Sequence, residues 1–349
     1  MGEKENKRKF PPKKIEFLTS KSASNFLSLQ KKIASDKITL FLGTGVSKSV
    51  GLPDWNDLLR NICNIFFNHW FFDIENKKLT PSKPPHNLSI AFTDGDYYFF
   101  DKQSELIDKF LTNDLLILAQ QIKNCIRPID WEYLIIHSLY PNSEVSYESN
   151  LLVSLVELIK ILKTNLAAVI NYNFDDAFEQ NLRREKIKHK IISDNHDQIN
   201  PNFLSVFHPH GYFSFKGGRR TNKMIISEVD YQNLSYIPLS RETNIQLSYL
   251  FNTTCLFIGL SMSDPNLRKL LRVASSYSKK IHYAFINKEP ESNLFYRMNQ
   301  TLFDKDLEQM RVKVIRYPLI KEETDPFKYL PLLLEFLTKG MNDKNFIWE

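Results

Sequence analysis

The sequence predicts an α/β protein built on a doubly wound parallel sheet, and three observations support this fold class. Residues 37–42 form a short apolar strand pattern that runs directly into Gly43-Thr44-Gly45 and then into a helical pattern. Residues 166–171 and 254–259 are predominantly apolar, as expected of strands that are covered on both faces. Beyond residue 165 such strands alternate with helical patterns, which is typical of a parallel sheet with helices on both sides.

The remaining elements follow from the spacing of apolar residues and from capping residues. Asp54 is positioned to cap a helix that begins at Trp55. Residues 71–103 contain three prolines and several aromatic residues without a clear period, so we interpret them as an insertion or a long loop. Further helices are predicted over residues 21–34, 105–123, 131–139, 148–162, 175–184, 241–251, 264–276, 294–303 and 329–339, and further strands over 189–192, 204–208, 223–226, 281–286 and 312–317.

The chain of 349 residues is long enough for one large domain. We divide it into a flexible basic tail at residues 1–20 and one α/β domain at residues 21–340, with a helical insertion at about 71–165. A basic tail can contact nucleic acid or an acidic partner. Its two aromatic residues, Phe10 and Phe17, do not alternate with the basic ones, so the tail fits a solvated end better and nucleic-acid binding is left open.

Composition argues against several classes of protein. No uninterrupted apolar run approaches the roughly 20 residues that cross a bilayer, and the charged first residues lack the apolar core of a secretion signal. The three cysteines, Cys63, Cys125 and Cys255, are far apart and form no C-x-x-C pair. This spacing argues against a disulfide framework and against a structural zinc site. We therefore expect a reducing, cytoplasmic location.

Glycine is scarce, with 10 in 349 residues, so each is expected where backbone geometry requires it. The turn from Gly43 to Ser47 follows the first strand. At this position of a doubly wound sheet, backbone amides and a helix N-terminus can hold a pyrophosphate. The G-x-G-x-x-G pattern is incomplete because Lys48 replaces the third glycine, so an ordinary strand-to-helix turn is the alternative.

Two later strands also end in polar residues. Asn173 and Asp175 follow the strand at 166–171 and can either bind a ligand or cap the next helix. His208 and His210 lie beside Gly211 at the end of another apolar run, where a structural and a catalytic role are both open. No third ligand for a metal lies close in sequence, so we expect no metal site.

Two further strand ends complete the set of candidates. Gly259 and Ser261 follow the strand at 254–259, and Asp264 precedes the next helix. The serine hydroxyl and nearby backbone can contact phosphate or ribose, while the aspartate is a good helix cap. Asn287 follows the strand at 281–286, where its amide side chain can contact a ribose or a purine edge.

Four segments, in order along the chain, resemble those of sirtuins. FLGTGVSKSVGLPDW resembles the Gly-Ala-Gly-x-Ser opening and the Gly-Ile-Pro-Asp motif. NYNFDDAFE is similar to the Thr-Asn-Tyr-Asp segment of bacterial sirtuin-like proteins, FHPHG to their His-Gly segment, and FIGLSMSDPNLRKLL to their Phe-Ile-Gly-x-Ser segment. The resemblance extends from about residue 38 to residue 287.

Two departures from the sirtuin pattern narrow the resemblance. The chain lacks the two cysteine pairs of the zinc module, and it has Trp55-Asn56 where protein-deacylating sirtuins carry Phe-Arg. Both departures point away from deacylases. They are similar to features of the sirtuin-like NADases of prokaryotic antiviral defence systems.

The resemblance implies a sirtuin-like, Rossmann-like fold without a zinc module and with NAD+ as its substrate. It places Asn173 and His210 at the catalytic centre, where Asn173 positions a water and a ribose hydroxyl and His210 acts as a base through that hydroxyl. Asp175 is expected at the nicotinamide end and Asn287 at the adenosine end. The full set of residues implied in NAD+ binding is Gly43, Thr44, Gly45, Val46, Ser47, Pro53, Trp55, Asp175, Gly259, Ser261, Asp264 and Asn287.

The resemblance therefore implies an NAD+ glycohydrolase that depletes NAD+ as the effector of an antiviral defence system. Two alternatives stay open, a nucleotide-binding sensor or scaffold without catalysis and an NAD-dependent protein deacylase. Because an unregulated NADase would harm its own cell, we expect control by assembly or by a partner subunit. Family members work beside a HerA-type ATPase or a nucleotide-processing enzyme, a homo-oligomer is equally allowed, and no membrane partner is expected.

Overall fold

The computed structural model describes residues 17–75, 78, 80–85, 109–110, 112, 114–140, 147–194, 196–215, 221, 224–236, 240–288, 294–318 and 327–342. Its centre is a sheet of seven strands: β1 (Ile38–Leu42), β2 (Leu166–Asn171), β3 (His189–Ile192), β4 (Leu204–Phe207), β5 (Thr254–Ile258), β6 (His282–Lys288) and β7 (Val312–Pro318). Every pairing is parallel, and the strand order is β3-β4-β2-β1-β5-β6-β7.

Helices precede, separate and follow these strands along the chain. The described helices are α1 (Ser20–Ser35), α2 (Thr44–Lys48), α3 (Trp55–Glu75), α4 (Leu115–Cys125), α5 (Pro128–Leu139), α6 (Asn150–Leu162), α7 (Ala177–Arg184), α8 (Glu228–Tyr236), α9 (Arg241–Asn252), α10 (Pro265–Tyr277), α11 (Leu294–Gln309) and α12 (Tyr329–Asn342), and a 3₁₀ turn lies at Lys163–Asn165. No helix within these ranges is long and apolar enough to cross a bilayer.

The sheet is covered on both faces. Leu40 and Leu42 of β1 pack with residues of α1, α3 to α7 and α12 in one apolar cluster. Phe41, between them, packs with residues of α9, α10 and α11 in the other. Because side chains alternate along a strand, two separate cores require helices on both sides of the sheet. This arrangement confirms the predicted α/β, Rossmann-like doubly wound fold.

Most of the predicted elements are present, but one strand prediction was wrong. Residues 224–226 have no regular secondary structure. Instead of joining a ladder, the Ile225 amide donates to the His210 carbonyl at 2.8 Å, and the Ile226 amide donates to the Asp230 carboxylate at 3.3 Å. The pattern also failed to predict α8 and the short α2.

Other predictions fall partly outside the described residues. The tail at 1–16, residue 223 and residues 86–108 are outside them. Helix α3 continues to Glu75, so the start of the predicted insertion at 71 is helical. Helices α4, α5 and α6 occupy the later part of that insertion. The domain boundaries at 1–20, 21–340 and 71–165 stay predictions.

The strand order reverses its direction of winding between β1 and β5. The chain moves from β1 towards β2 on one side and from β5 towards β6 on the other, which makes the crevice beyond these two strands the switch point of the sheet. The Gly43 amide donates to the Ile258 carbonyl at 3.0 Å, and the Gly45 amide donates to the Gly259 carbonyl at 2.9 Å. The turns after the two strands are therefore in direct backbone contact.

Only glycine permits this contact. A Cβ atom at Gly45 would lie 2.8 Å from the Gly259 Cα, and one at Gly259 would lie 2.9 Å from the Val46 amide nitrogen. Gly259 also has φ +68°, a left-handed conformation that costs other residues about 1–2 kcal/mol. Two of the few glycines in the sequence therefore lie where no other residue would fit.

We expect Gly259→Ala to destabilise the protein more than Gly51→Ala does. Both glycines have a positive φ, but a Cβ at Gly51 meets no atom within 4 Å. Gly51→Ala is therefore expected to cost about 1–2 kcal/mol through backbone conformation alone, and Gly259→Ala about 1–3 kcal/mol more through overpacking. Urea denaturation of both variants measures the difference. Equal losses would show that the two turns can separate freely.

Candidate active site at the carboxyl ends of the central strands

The loop after β2 is tied to the glycine turn after β1 by two side chains. The Asn173 Nδ2 donates to the Gly43 carbonyl at 3.0 Å. The Ser47 hydroxyl donates to the Asp175 Oδ2 at 2.5 Å. Two of the predicted binding segments therefore meet at the switch point, as their position at neighbouring strand ends predicts.

Asn173 and Asp175 have different local roles. The Asp175 Oδ1 accepts from the Ala177 amide at 3.0 Å, which helps to begin α7. Asn173 does not cap that helix, and its Oδ1 is buried without a hydrogen-bond partner among the described residues. Because buried polar atoms are normally paired, this oxygen is an acceptor suited to a ligand or a water.

The amides of the glycine turn are already used by the protein. Besides the two bonds to the β5 end, the Val46 amide donates to the Gly43 carbonyl at 2.9 Å. The amides of Gly43, Gly45 and Val46 therefore have acceptors before any phosphate is present. These three amides therefore fix the position of Asn173 and Ser47 and are not free to donate to a phosphate.

His208 contacts the loop after β2 and helix α7 through its two ring nitrogens. Its Nδ1 lies 2.9 Å from the Asn173 carbonyl, and its Nε2 lies 3.0 Å from the Glu179 Oε1. The Asn171 Nδ2 also donates to that Glu179 oxygen at 3.1 Å. All these groups are buried, so His208 has a structural role. The sequence did not single out Glu179, because a lone glutamate on a helix is usually solvated.

His210 occupies a different position, at the wall of a cavity of about 240 Å³ that it shares with Tyr172 and with residues of α9 and α10. Its ring packs edge-on against Tyr172 with centroids 4.7 Å apart. Burial lowers the pKa of His210, and the negative charge of Asp264 partly opposes this effect. A lowered pKa keeps the imidazole neutral near pH 7, which is the form that accepts a proton.

A chain of aromatic rings joins the segments around His210. Tyr231 of α8 packs against His210 at 5.8 Å and against Trp55 at 5.5 Å between ring centroids. Trp55 in turn lies 5.8 Å from Phe174. The Tyr231 hydroxyl donates to Asp264 at 3.4 Å. Three predicted site residues, Trp55, His210 and Asp264, thus converge on Tyr231, which sequence reasoning missed.

Asp176, next to Asp175, anchors the surroundings of the site. Its carboxylate accepts from the Tyr147 hydroxyl at 2.9 Å, from the Ser214 hydroxyl at 2.8 Å and from the Gln180 side chain at 2.9 Å. These donors come from the segment before α6, the loop after β4 and α7. The carboxylate therefore holds the helical layer to the loop that carries His210.

Some predicted site residues do not join this group through a described contact. Ser261 is exposed, and its hydroxyl pairs with that of Ser263 at 2.6 Å. Asn287 lies on β6, beyond β5, and its carbonyl accepts from the Arg316 side chain at 2.7 Å. Thr44 and Pro53 are half-buried close to the glycine turn.

Within the described ranges, no group of three or more His, Cys, Asp or Glu residues is arranged to hold a metal ion.

We expect the ionisation of Asp175 to weaken folding. Burial raises the pKa of Asp175 from 3.8 to about 6, against the opposing hydrogen bonds from Ser47 and Ala177. The folded state therefore favours the protonated acid, and this contribution, about 3 kcal/mol, is full below pH 3.8 and lost as the pH rises through about 6. Asp175→Asn should abolish this pH dependence in urea denaturation between pH 4 and 7. Asp114→Asn, at an exposed helix cap, is the control; an unchanged profile in Asp175→Asn would contradict the burial argument.

We also expect Asp264→Asn to lower the pKa of His210 further. The substitution removes the negative charge that opposes the effect of burial, while asparagine caps a helix as well as aspartate does. NMR titration of the histidine ring protons, with His210 assigned from His210→Gln, measures the shift. Asp114→Asn, which changes the cap of α4 in the same way, should leave His210 unaffected. A rise in the His210 pKa in Asp264→Asn would refute the electrostatic assignment.

Comparison with known families is consistent with this geometry. Residues 167–315, which extend from β2 into β7, match the family profile described as a SIR2-like domain. No curated protein sequence gives a significant match to the chain. This part of the chain is therefore similar to SIR2-like domains, and the match covers the strands from β2 into β7 of the parallel sheet.

Proposed function

We propose that the protein hydrolyses NAD+ to ADP-ribose and nicotinamide. The observation that carries the proposal is the unpartnered, buried Asn173 Oδ1, held at the switch point by the bond from its own Nδ2 to Gly43. The neighbouring residue, Tyr172, packs against His210. An amide acceptor and a neutral imidazole thus stand on adjoining segments, at the strand ends where α/β sheets bind nucleotides.

The chemistry needs little more than these groups. When the bond between the nicotinamide nitrogen and ribose C1 breaks, its electron pair stays on nicotinamide, which leaves as a neutral molecule. The ribose develops oxocarbenium character, as in glycoside cleavage, and water forms the new bond to C1. The water loses one proton, which a neutral His210 accepts directly or through a ribose hydroxyl. Asn173 positions the water, Ser47 contacts the phosphates and Asp175 contacts the nicotinamide end.

The proposal extends to a role as the NAD-depleting effector of a cytoplasmic antiviral defence system. The exposed fractions of Ser47, Asn173, Asp175 and His210 are only 2–6%. The cavity of about 240 Å³ beside His210 is below the roughly 300–1,000 Å³ of typical ligand pockets. A closed site suits an enzyme that must be inactive until assembly or a partner subunit, such as a HerA-type ATPase or a nucleotide-processing enzyme, opens it.

The same burial favours a second candidate, a nucleotide-binding sensor or scaffold without turnover. In that case the engaged amides of Gly43, Gly45 and Val46 would reflect a structural turn. Formation of ADP-ribose from NAD+ by the purified protein separates the two candidates, and a requirement for an acylated peptide would indicate a deacylase instead.

We expect Asn173→Ala and His210→Ala each to reduce nicotinamide release by about a hundredfold or more, because each removes a positioned polar group. The release is followed by chromatography of NAD+ incubated with the protein, and thermal denaturation checks that each variant folds. Asn252→Ala and His196→Ala are matched controls, since Asn252 bonds locally to Ser248 and His196 is exposed and lines neither of the two larger cavities.

The same four variants test the defence role in cells. NAD+ should fall after phage infection in cells that carry the unchanged protein or a control variant, and it should stay constant with Asn173→Ala or His210→Ala. Full activity of both site variants in the purified assay would eliminate the proposed catalytic centre.

A further inference from the structure

A second cavity, of about 510 Å³, lies at the β3 edge of the sheet. It shares no lining residue with the cavity beside His210. Its wall is formed by the end of α7, by β3 and by the loop after β4. The lining residues that matter here are Arg183, Lys188, Lys190, Phe203 and Tyr212.

The cavity carries positive charge that the described residues do not neutralise through ion pairs. Within the described part of the chain, Arg183, Lys188 and Lys190 form no ion pair with a carboxylate. Nearby cations differ, because Arg184 pairs with Glu148 at 3.1 Å and Lys160 pairs with Glu185 at 2.9 Å. Unpaired cations gathered in one concavity attract an anion.

Tyr212 gives this cavity a buried polar group as well. The residue is 0% exposed, and its hydroxyl makes no hydrogen bond of good geometry to the described residues. Burial raises the pKa of Tyr212, the nearby Glu179 and Asp176 carboxylates raise it further, and the adjacent Arg183 guanidinium opposes that rise. Arg183 and Tyr212 line the cavity together, and a guanidinium beside a buried hydroxyl is arranged to contact an acidic oxygen.

The remaining wall is apolar and partly aromatic. Phe203 is 39% exposed, and Ile187 and Ile191 also line the cavity. An exposed aromatic ring is a surface on which a nucleobase stacks. The volume lies within the roughly 300–1,000 Å³ of small-molecule sites.

We propose that this cavity is a second nucleotide site, separate from the proposed NAD+ site. The phosphates contact Arg183, Lys188 and Lys190, the base stacks on Phe203, and the Tyr212 hydroxyl bonds to a phosphate or sugar oxygen. A mononucleotide fits better than a single strand of nucleic acid, because the cations surround one cavity and Phe203 is the one exposed ring among the described residues that line it. Tyr212 is two residues from His210 in the chain, so the two cavities are joined by one short segment.

Photolabelling of the full chain with 2-azido-ADP tests the proposal without requiring any turnover of NAD+. Peptide mapping by mass spectrometry is expected to find label between residues 183 and 214, and excess ADP should remove it. The double variant Lys188→Glu/Lys190→Glu should reduce this label by about tenfold or more, since charge-assisted contacts are lost. Lys31→Glu/Lys279→Glu, which changes the charge equally at exposed lysines outside the cavity, should label like the unchanged protein.

The outcomes separate this site from the proposed enzyme. Label confined to the Gly43 to Trp55 segment would overturn the second site while leaving NAD+ hydrolysis untouched. Label at 183–214 that persists in Lys188→Glu/Lys190→Glu would also overturn it. If a 16-nucleotide oligo(dT) protected this region better than ADP at equal phosphate concentration, a nucleic-acid strand would replace the mononucleotide. Label that disappears only in the β3 double variant supports the site, whether or not the protein hydrolyses NAD+.

Discussion

The structure depends on the backbone contact between two glycine turns at the switch point of the sheet. The Gly45 amide and the Gly259 carbonyl join the ends of β1 and β5, which lie more than two hundred residues apart in sequence. This contact sets the position of the Gly43 carbonyl, and that carbonyl in turn receives the Asn173 side chain. A side chain at Gly45 or Gly259 would separate the turns and displace the candidate catalytic amide.

Burial links the stability of this site to its chemistry. Asp175 and His210 are both shielded from water, and burial favours the neutral form of each, raising the pKa of Asp175 and lowering that of His210. An uncharged imidazole is what proton acceptance requires. The cost is that ionised Asp175 is held in a poorly solvated position. Polar residues packed in this way are typical of functional sites, where function and stability have competing requirements.

The sequence predicted the sheet because β1, β2 and β5 are short apolar runs, a pattern that depends on the residues alone. It also predicted that polar residues at their ends would meet, since parallel strands end at one edge. It did not predict α8, because the apolar residues of that helix do not fall on one face. The helix is instead held by Asp230, which pairs with Lys123 at 2.9 Å. It also did not predict the hydrogen bond of the Gly45 amide, since the acceptor follows a strand that is distant in sequence.

Tyr231 shows why the sequence indicates the site residues but not whether a ligand can reach them. Its ring lies between Trp55 and His210, and its hydroxyl reaches Asp264. One side chain therefore closes the gap between the end of the β1 segment and the start of α10. Any dinucleotide that touches His210 must compete with these contacts, each of which is a weak aromatic or hydrogen-bonding interaction of about 1 kcal/mol. Because such a sum is small beside the binding energy of a nucleotide or a partner subunit, access to the site can be controlled without refolding the sheet that builds it.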